Sequence, residues 1–278
     1  MHSLPDAPPV LAAHGHLSLL QRPSMAMVGA RNASAAARKI TGDLADALGA
    51  AGLVITSGLA RGVDGAAHQA ALSHGTIAVI GNGAAHSFPK DNADLQSAIV
   101  EQGLLLAENP PDTAPQASLF PRRNRIIAGL SLGVIVVEAA RRSGSLITAR
   151  LAGEYGREVF AVPGSPLDAR CHGSNNLLRD GAVLTETADD VLAVIQPQIE
   201  RTVMAARSGK PFEAPRKAPE LSDSQRQDII ELLGPVPMTV DELIAQADAP
   251  VQVVHLVLLE LDLAGRLTTE PGGKISLI

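Results

Sequence analysis

Three arginines stand in four positions of the segment "FPRRNRIIAGLS", at Arg122, Arg123 and Arg125. Guanidinium groups make forked contacts with phosphate oxygens. The apolar residues that follow predict a helix with one face in the core, so the helix start would hold these arginines rigidly. No acidic residue lies within four positions of the cluster to form helical ion pairs. The segment therefore predicts phosphate contacts, and Asn124 would add an amide contact to sugar or base.

Three turns that follow apolar runs combine glycine, small residues and arginine: "VGARNAS", "SGLARGVDGAAH" and "EAARRSGSLITAR". Glycine allows close backbone approach or positive φ, and each turn leads into a predicted helix. Free N–H groups at a helix start bind anions. The turns contribute Arg31, Arg61 and the pair Arg141 and Arg142. Four basic segments at one sheet edge fit a polynucleotide strand better than a mononucleotide, and Phe88 and Phe120 are candidates for base stacking.

The sequence lacks the motifs of several enzyme classes. It has no G-x-x-x-x-G-K-[ST] segment, and "GNGAAH" lacks the third glycine of the dinucleotide fingerprint. Ser57, Asp64 and His68 are not ordered as a catalytic triad, and Asp64 is expected to cap its helix and fix the preceding turn. Cys171 beside His172 is too little for a metal site. We expect no ATP hydrolysis, no NAD chemistry, no cofactor and no metal.

The apolar runs predict the scaffold that positions these turns. Strand-length runs rich in Val and Ile alternate with helical segments from Met25 to about Ile195. Strands that are apolar throughout imply a parallel sheet covered on both faces. We therefore predict an α/β fold, a Rossmann-like doubly wound and mostly parallel sheet, with its ligand site at the carboxyl ends of the strands.

A change of composition marks further segments. We predict an N-terminal extension at 1–24, the Rossmann-like domain at 25–196 and a Pro-rich linker at 197–221. Three amphipathic helices and two short strand-like pieces at 222–278 predict a small C-terminal winged-helix domain. The presumed recognition helix "VQVVHLVLLELDLAG" is short of groove-reading side chains, which weakens the alternative of a winged-helix regulator reading duplex DNA.

The overall composition limits where an anion-binding site can lie and which cellular compartment fits the chain. The 278 residues have a formal net charge of −6, so any polyanion site must be local. A single cysteine fits a reducing cytoplasm, and no segment is apolar for the roughly 20 residues of a membrane span. No signal peptide is recognisable. These features predict a cytoplasmic protein without a membrane span.

The motif series "SGLARGVDGAAH", "FPRRNRIIAGLS", "SGSLITA", "AVPG" and "GSNNLLRDGA" resembles that of the DNA-processing protein A family, over about Pro8 to Ile195. The end of the chain resembles that family's winged-helix domain. The resemblance implies single-stranded DNA binding, a homodimer and loading of the RecA recombinase onto incoming DNA during natural transformation (competence), without catalysis. Many members carry an N-terminal helical domain before "PPVLAAHG", which is expected to be absent or removed here.

Carried onto this chain, the resemblance implies a DNA-binding pocket on the positions that the residues themselves indicated. The predicted DNA-binding residues are Gly29, Arg31, Ser57, Gly58, Arg61, Arg122, Arg123, Asn124, Arg125, Gly144, Ser145 and Thr148. Gly164, Gly173 and Asn175 belong to matching motifs and are expected to be structural.

One further alternative is a nucleotide-processing enzyme, because similar Rossmann folds occur in phosphoribohydrolases. Those enzymes carry a P-G-G-x-G-T-x-x-E signature with a catalytic glutamate. Here "SGSLITA" stands in the comparable place without a glutamate at that spacing, and Glu138 is the nearest carboxylate.

Overall fold

The chain folds into two compact units, Met1–Ser208 and Gly209–Ile278. The structure, a computed structural model, describes residues 6–207, 223–234, 236–247, 249, 251–264, 266–270 and 274–277. The predicted linker at 197–221 divides accordingly: residues 197–207 continue a helix of the first unit, and residues 208–221 lie outside the described residues.

An eight-stranded sheet forms the centre of the first unit. Its strands are β1 (Ala12–Gly15), β2 (Ser24–Gly29), β3 (Val54–Ser57), β4 (Thr76–Ile80), β5 (Leu104–Ala107), β6 (Gly133–Val137), β7 (Glu158–Ala161) and β8 (Val183–Leu184). The spatial order is β1-β5-β4-β3-β2-β6-β7-β8, and only β1 pairs antiparallel with its neighbour. The mostly parallel sheet predicted from the apolar runs is confirmed.

Helices cover both faces of this sheet. They are α1 (Ala35–Ala50), α2 (Val63–Ala71), α3 (Ala93–Gln102), α4 (Leu119–Leu130), α5 (Ser145–Glu154), α6 (His172–Arg179) and α7 (Ala188–Arg207). Alternation along β2 shows the two layers: Met25 and Met27 join one hydrophobic cluster with α1, α2 and α7, whereas Ala26 and Val28 join another with α4 and α5. The central strands β2 to β6 are therefore buried on both sides, which explains their continuous apolar sequences, whereas the edge strands β1 and β8 are largely exposed or half-buried.

The strand order reverses between β2 and β6, whose following helices pack on opposite faces. A ligand crevice opens at such a switch point, beyond the carboxyl ends of the strands. Gly29 pairs with Val137 there, and a Cβ on Gly29 would meet the Val137 carbonyl oxygen at 1.9 Å. Glycine is therefore required where the backbones of the two strands approach at the crevice.

The predicted N-terminal extension takes part in the sheet. Strand β1 pairs with β5, with Ala12 opposite Ala107 and Gly15 opposite Leu104. The only tyrosine of the chain, Tyr155, also donates a 2.7 Å hydrogen bond to Asp6 in this segment. The segment therefore adds an edge strand to the Rossmann-like unit.

The second unit has the element order of a winged helix. It contains α8 (Asp223–Leu232), β9 (Met238–Thr239), α9 (Val240–Gln246), α10 (Val251–Leu263), β10 (Leu267–Glu270) and β11 (Lys274–Leu277). The strands form a three-stranded sheet in the order β10-β11-β9. Ile229, Leu243, Val254 and Ile275 are buried in one small core, and the predicted winged-helix fold is confirmed. The turn at 271–273 lies outside the described residues.

No helix within the described ranges combines the length and apolar character that crossing a membrane requires.

A buried carboxylate closes the N-terminus of α1. Glu138 follows β6 with a φ of 47° and is only 8% exposed. Its carboxylate accepts hydrogen bonds from the Ser34 amide at 2.9 Å and the Ser34 hydroxyl at 2.5 Å. The Ser34 oxygen in turn accepts from the Ala37 amide, as an N-cap does. Because Glu138 already occupies the positive end of α1, this helix start offers no free site to an anion.

We expect Ser34→Ala to lower the free energy of unfolding by about 1–3 kcal/mol, because it removes an N-cap and a partner of a buried carboxylate. Urea denaturation measures this change. Ser97→Ala is the control, since Ser97 is exposed and its hydroxyl bonds only within α3. Equal stability of the Ser34 and Ser97 variants would contradict the role given to the Ser34–Glu138 contact.

Candidate nucleic-acid interface

A cavity of about 480 Å³ opens at the switch point. Its walls come from the turn after β2, the turn before α2, the first turns of α4 and the loop that leads into α5. Seven predicted residues line it: Gly29, Arg31, Arg123, Asn124, Gly144, Ser145 and Thr148. Segments up to 119 positions apart in sequence therefore converge on one site, as Gly29 and Thr148 show.

Arg123 is the charged centre of this cavity. Its side chain leaves the first turn of α4 and is only 7% exposed. No carboxylate of the described residues forms an ion pair with it, and its Nε lacks a hydrogen-bond partner among them. Burial lowers the pKa of Arg123 to about 10, so the group stays charged at neutral pH. A buried cation with an unused donor is the arrangement that an anionic ligand completes.

Gly58 creates the space for that guanidinium. A Cβ on Gly58 would lie 1.4 Å from the Arg123 Nη1 atom. The amide of Gly58 donates to the Asp64 carboxylate at 3.1 Å, and the Ala60 amide donates to the same oxygen at 3.4 Å. Gly58 therefore contributes to the site from behind the arginine and does not line the cavity.

Asp64 fixes the turn before α2, as expected, because it accepts the Gly58 and Ala60 amides. It does not cap α2, since the N-cap residue is Gly62 and no side chain bonds there. Burial raises the pKa of the Asp64 carboxyl, while the Arg123 charge and the two backbone amides act in the opposite direction. The side chain lines the cavity beside Arg123. It therefore acts as a nearby countercharge that offsets part of the cost of burying the arginine.

Ser57 and His68 face structural partners. The Ser57 hydroxyl donates to the Met27 carbonyl at 2.5 Å, and His68 Nδ1 lies 2.7 Å from the Thr76 hydroxyl. Burial, together with the Arg123 charge, lowers the pKa of His68 to about 3, so the ring is neutral at pH 7. Ser57 does not line the cavity, and neither side chain contacts the other in a catalytic arrangement.

The arginine cluster that opens α4 is divided by the fold. Arg122 and Arg125 both pair with Glu108, at 3.3 and 2.5 Å. Only Arg123 of the three lines the cavity. The sequence showed no acid within four residues of the cluster, whereas the fold supplies Glu108 from the loop after β5. Sequence distance hides such a pairing. The assignment of Arg122 and Arg125 to DNA binding stays a prediction.

Arg31 continues the positive surface outwards. It is exposed, and its Cζ atom lies 5.7 Å from the centre of the Phe120 ring. Its charge acts on Arg123 and lowers the pKa of that group, which shows that the two cations lie close together. Two neighbouring guanidiniums without a direct ion pair among the described residues favour a bound anion.

Two further cavities adjoin the first one, and the three cavities together are called the trough. A small cavity of about 70 Å³ shares Arg31, Phe120 and Arg123 with the first. A third, of about 710 Å³, shares Arg61 and Phe88 with the second. Arg61 is exposed and pairs weakly with Asp91 at 3.5 Å. Basic and aromatic side chains therefore line three adjoining cavities.

The N-terminus of α5 faces the first cavity. Asn124 donates from Nδ2 to the Gly144 carbonyl at 3.3 Å, which ties α4 to this turn, and the Ser143 and Ser145 hydroxyls are 2.7 Å apart. Arg141 and Arg142 stand exposed just before the helix. The Leu146 and Ile147 amides donate within the turn, to the Ser143 and Gly144 carbonyls. Unlike the start of α1, the first turn of α5 holds no acidic residue, so its positive end faces the cavity without a countercharge.

Three motif residues are structural, as expected. Asn175 accepts from the Gly164 amide and donates to the Gly164 carbonyl, at 3.1 and 2.8 Å. A Cβ on Gly173 would meet the Ala139 carbonyl oxygen at 2.6 Å. These contacts lock α6 against the ends of β6 and β7.

One group of side chains has the chemistry of metal ligands. Glu138, Asp168 and Cys171 each place one ligand atom within 4.8 Å of the others. Both carboxylates already have partners, since Ser34 binds Glu138 and Arg170 forks onto Asp168. The hydrogen bonds from Arg170 lower the pKa of Asp168 to about 2. These contacts indicate a structural role.

Comparisons with known proteins identify the family of the chain. The family model of the DNA recombination-mediator protein A matches residues 1–196, and that of the DprA winged helix domain matches residues 213–273. The chain belongs to the DNA recombination-mediator protein A family. It is 41% identical over 282 residues to Protein Smf of Escherichia coli, covering 98% of this chain and 72% of that relative.

Further relatives and solved structures of the DNA recombination-mediator protein A family match the first unit. DNA processing protein DprA of Streptococcus pneumoniae is 50% identical, over 68% of this chain and 67% of its own. DNA processing protein DprA of Bacillus subtilis is 44% identical, over 69% of this chain and 65% of its own length. The S. pneumoniae crystal structure superposes with a TM-score of 0.66 at 48% identity, over 68% of both chains. A structure of DNA processing protein A from Helicobacter pylori concerns that protein's single-stranded DNA binding mode. It superposes with a TM-score of 0.65 at 32% identity, over 70% of this chain and 90% of that chain.

We expect Gly58→Ala to destabilise the protein by about 1–3 kcal/mol, because the new methyl group occupies the position of the Arg123 guanidinium. In an Arg123→Ala background the same change should cost much less. Urea unfolding of the four proteins of this double-mutant cycle measures the coupling. Gly153→Ala, in α5 with no atom within 4 Å of the added Cβ, is the neutral or stabilising control. Additive effects of Gly58→Ala and Arg123→Ala would refute the contact.

Proposed function

We propose that this chain binds single-stranded DNA along the trough, with phosphates held at Arg123, Arg31 and the start of α5. The buried and incompletely bonded Arg123 carries this proposal, because burying a cation is costly unless an anion completes its contacts. The relative from H. pylori, whose structure concerns single-stranded DNA binding, supports the same ligand class.

The extent of the trough supports a strand over a mononucleotide. One nucleotide would fill the first cavity, which measures about 480 Å³, whereas the trough extends past Arg61 into a further cavity of about 710 Å³. Exposed cations lie at both ends, with Arg141 and Arg142 near α5 and Lys90 at the far cavity. A sugar-phosphate chain that crosses the three cavities would pass at least one cation in each of them.

We also propose that the chain loads the RecA recombinase onto incoming DNA in natural transformation, acts as a homodimer and resides in the cytoplasm. Family membership supports the first two statements. The single cysteine, buried and unpaired, supports a reducing compartment.

A regulator that reads duplex DNA is less well supported. Residues 223–278 contain nine acidic and three basic residues, and this negative net charge repels DNA.

We propose that the chain is not an enzyme. The carboxylate considered for a phosphoribohydrolase, Glu138, accepts two hydrogen bonds from Ser34 at the start of α1. We expect no release of free base when the purified protein is incubated with nucleoside monophosphates, as measured by chromatography. Release that Glu138→Gln abolishes would contradict this proposal.

For DNA binding, we expect Arg31→Ala and Arg123→Gln each to weaken oligo-dT binding by at least about 1–3 kcal/mol, because each removes a charged phosphate partner. The slope of log affinity against log salt should fall by about 0.7 for each phosphate group that the variant no longer neutralises. Fluorescence anisotropy at several salt concentrations measures both quantities, and thermal unfolding checks that the variants fold.

Arg150→Ala is the matched control. Arg150 is exposed on α5 and pairs with Glu154, so its removal should leave affinity and salt slope unchanged. Single-stranded, duplex and mononucleotide ligands of matched phosphate concentration test the ligand class. Wild-type affinity of both the Arg31 and the Arg123 variant at moderate salt would show that the trough is not the DNA site.

A further inference from the structure

Phe88 ends a column of three stacked groups beside the phosphate site. The Arg31 guanidinium lies over the Phe120 ring at 5.7 Å, and the Phe120 and Phe88 rings stack at 5.4 Å with an interplanar angle of 21°. Arg31 and Phe120 therefore cover the inner part of the column. Phe88 remains 42% exposed, although phenylalanine is among the side chains most often buried.

The remaining surface of Phe88 borders the third cavity of the trough, which measures about 710 Å³. Pro89 and Pro115 give this cavity further apolar walls. Arg61 and Lys90 stand around it as cations, and one carboxylate, Asp91, pairs with Arg61 at 3.5 Å. An apolar wall with cations at its edge suits a ligand that is flat and aromatic on one part and anionic on another. A nucleotide has both properties.

The connection to the phosphate site sets the order in which a strand would meet these side chains. Phe88 and Arg61 line both the small cavity, which Arg31 and Arg123 share, and the third cavity. A strand with one phosphate at Arg31 and Arg123 would thus pass Arg61 before it reaches the outer side of Phe88. The base beside Phe88 belongs to a neighbouring nucleotide of the same strand.

We propose that Phe88 is a base-stacking platform, on which one nucleobase of the bound strand adds a fourth layer to the Arg31–Phe120–Phe88 column. This inference rests on the proposed single-stranded DNA binding and names a contact to the base, whereas the arginines contact phosphate. Phenylalanine has no hydrogen-bonding group, so the platform accepts any base and confers no sequence specificity. It favours a strand with unpaired bases over a duplex.

The first experiment compares oligo-dT with an abasic oligomer of the same length, which has the same phosphates and no bases. We expect Phe88→Ala to weaken oligo-dT binding at least about fivefold and to leave binding of the abasic oligomer unchanged. The salt slope should also stay unchanged, because every phosphate keeps its cationic partner. Phe88→Tyr should keep the wild-type affinity. Leu167→Ala, which removes a side chain that is 95% exposed, is the control for the removal of apolar surface.

The second experiment does not depend on a loss of affinity. The chain contains no tryptophan, so Phe88→Trp introduces a single indole fluorophore. We expect oligo-dT to quench its emission, and the abasic oligomer to bind without this quenching. Absence of quenching at saturating oligo-dT, or equal weakening of both ligands in Phe88→Ala, would overturn the platform.

The two proposals fail in distinguishable ways. Wild-type oligo-dT affinity of Phe88→Ala together with weakened binding in Arg31→Ala would overturn the stacking platform and retain the phosphate site. Unchanged binding in Arg31→Ala and Arg123→Gln would refute the trough itself, whatever Phe88→Ala shows.

Discussion

The burial of one arginine is the constraint on which the site depends. Arg123 can lie inside the molecule only because Gly58 has no side chain there and because Asp64 supplies a nearby negative charge. Asp64 is held in turn by the amides of the turn that contains Gly58. The glycine, the carboxylate and the guanidinium form one unit, since removing any of them leaves a buried charge or a clash.

The two helix starts at the switch point have different roles because only one is closed by the protein. Glu138 takes the positive end of α1, where a doubly wound fold usually holds a nucleotide phosphate. The N-terminus of α5 lines the same cavity as Arg123 and has no acidic residue in its first turn. This asymmetry moves the available anion site to the side of the sheet that carries α4 and α5, where the aromatic column and the arginines also lie.

The acidic net charge and a basic trough are compatible because electrostatic effects in proteins are local. Glu108 pairs with Arg122 and Arg125, neither of which lines the first cavity, and balances one of their two charges, while Asp91 partly offsets Arg61. Arg123 carries its positive charge in a buried position, where screening is weakest, and Arg31 adds an exposed charge at the same cavity. A few well-placed cations therefore dominate the field that a strand would meet.

The sequence by itself determined the strands β2 to β7, the glycine turns and the family, because these depend on local apolar patterns and on motifs with fixed spacing, whereas the short edge strands β1 and β8 carry no such pattern. It also brought Arg31, Arg123 and Gly144 to one edge of the sheet, since the carboxyl ends of parallel strands must lie together. Only the tertiary structure decided that Glu108 removes Arg122 and Arg125 from the cavity, that Gly58 lies behind Arg123 and that Phe88 and Phe120 form one stack. Such contacts join side chains 14 to 65 positions apart, and no local pattern records which of the possible partners a folded chain brings within reach.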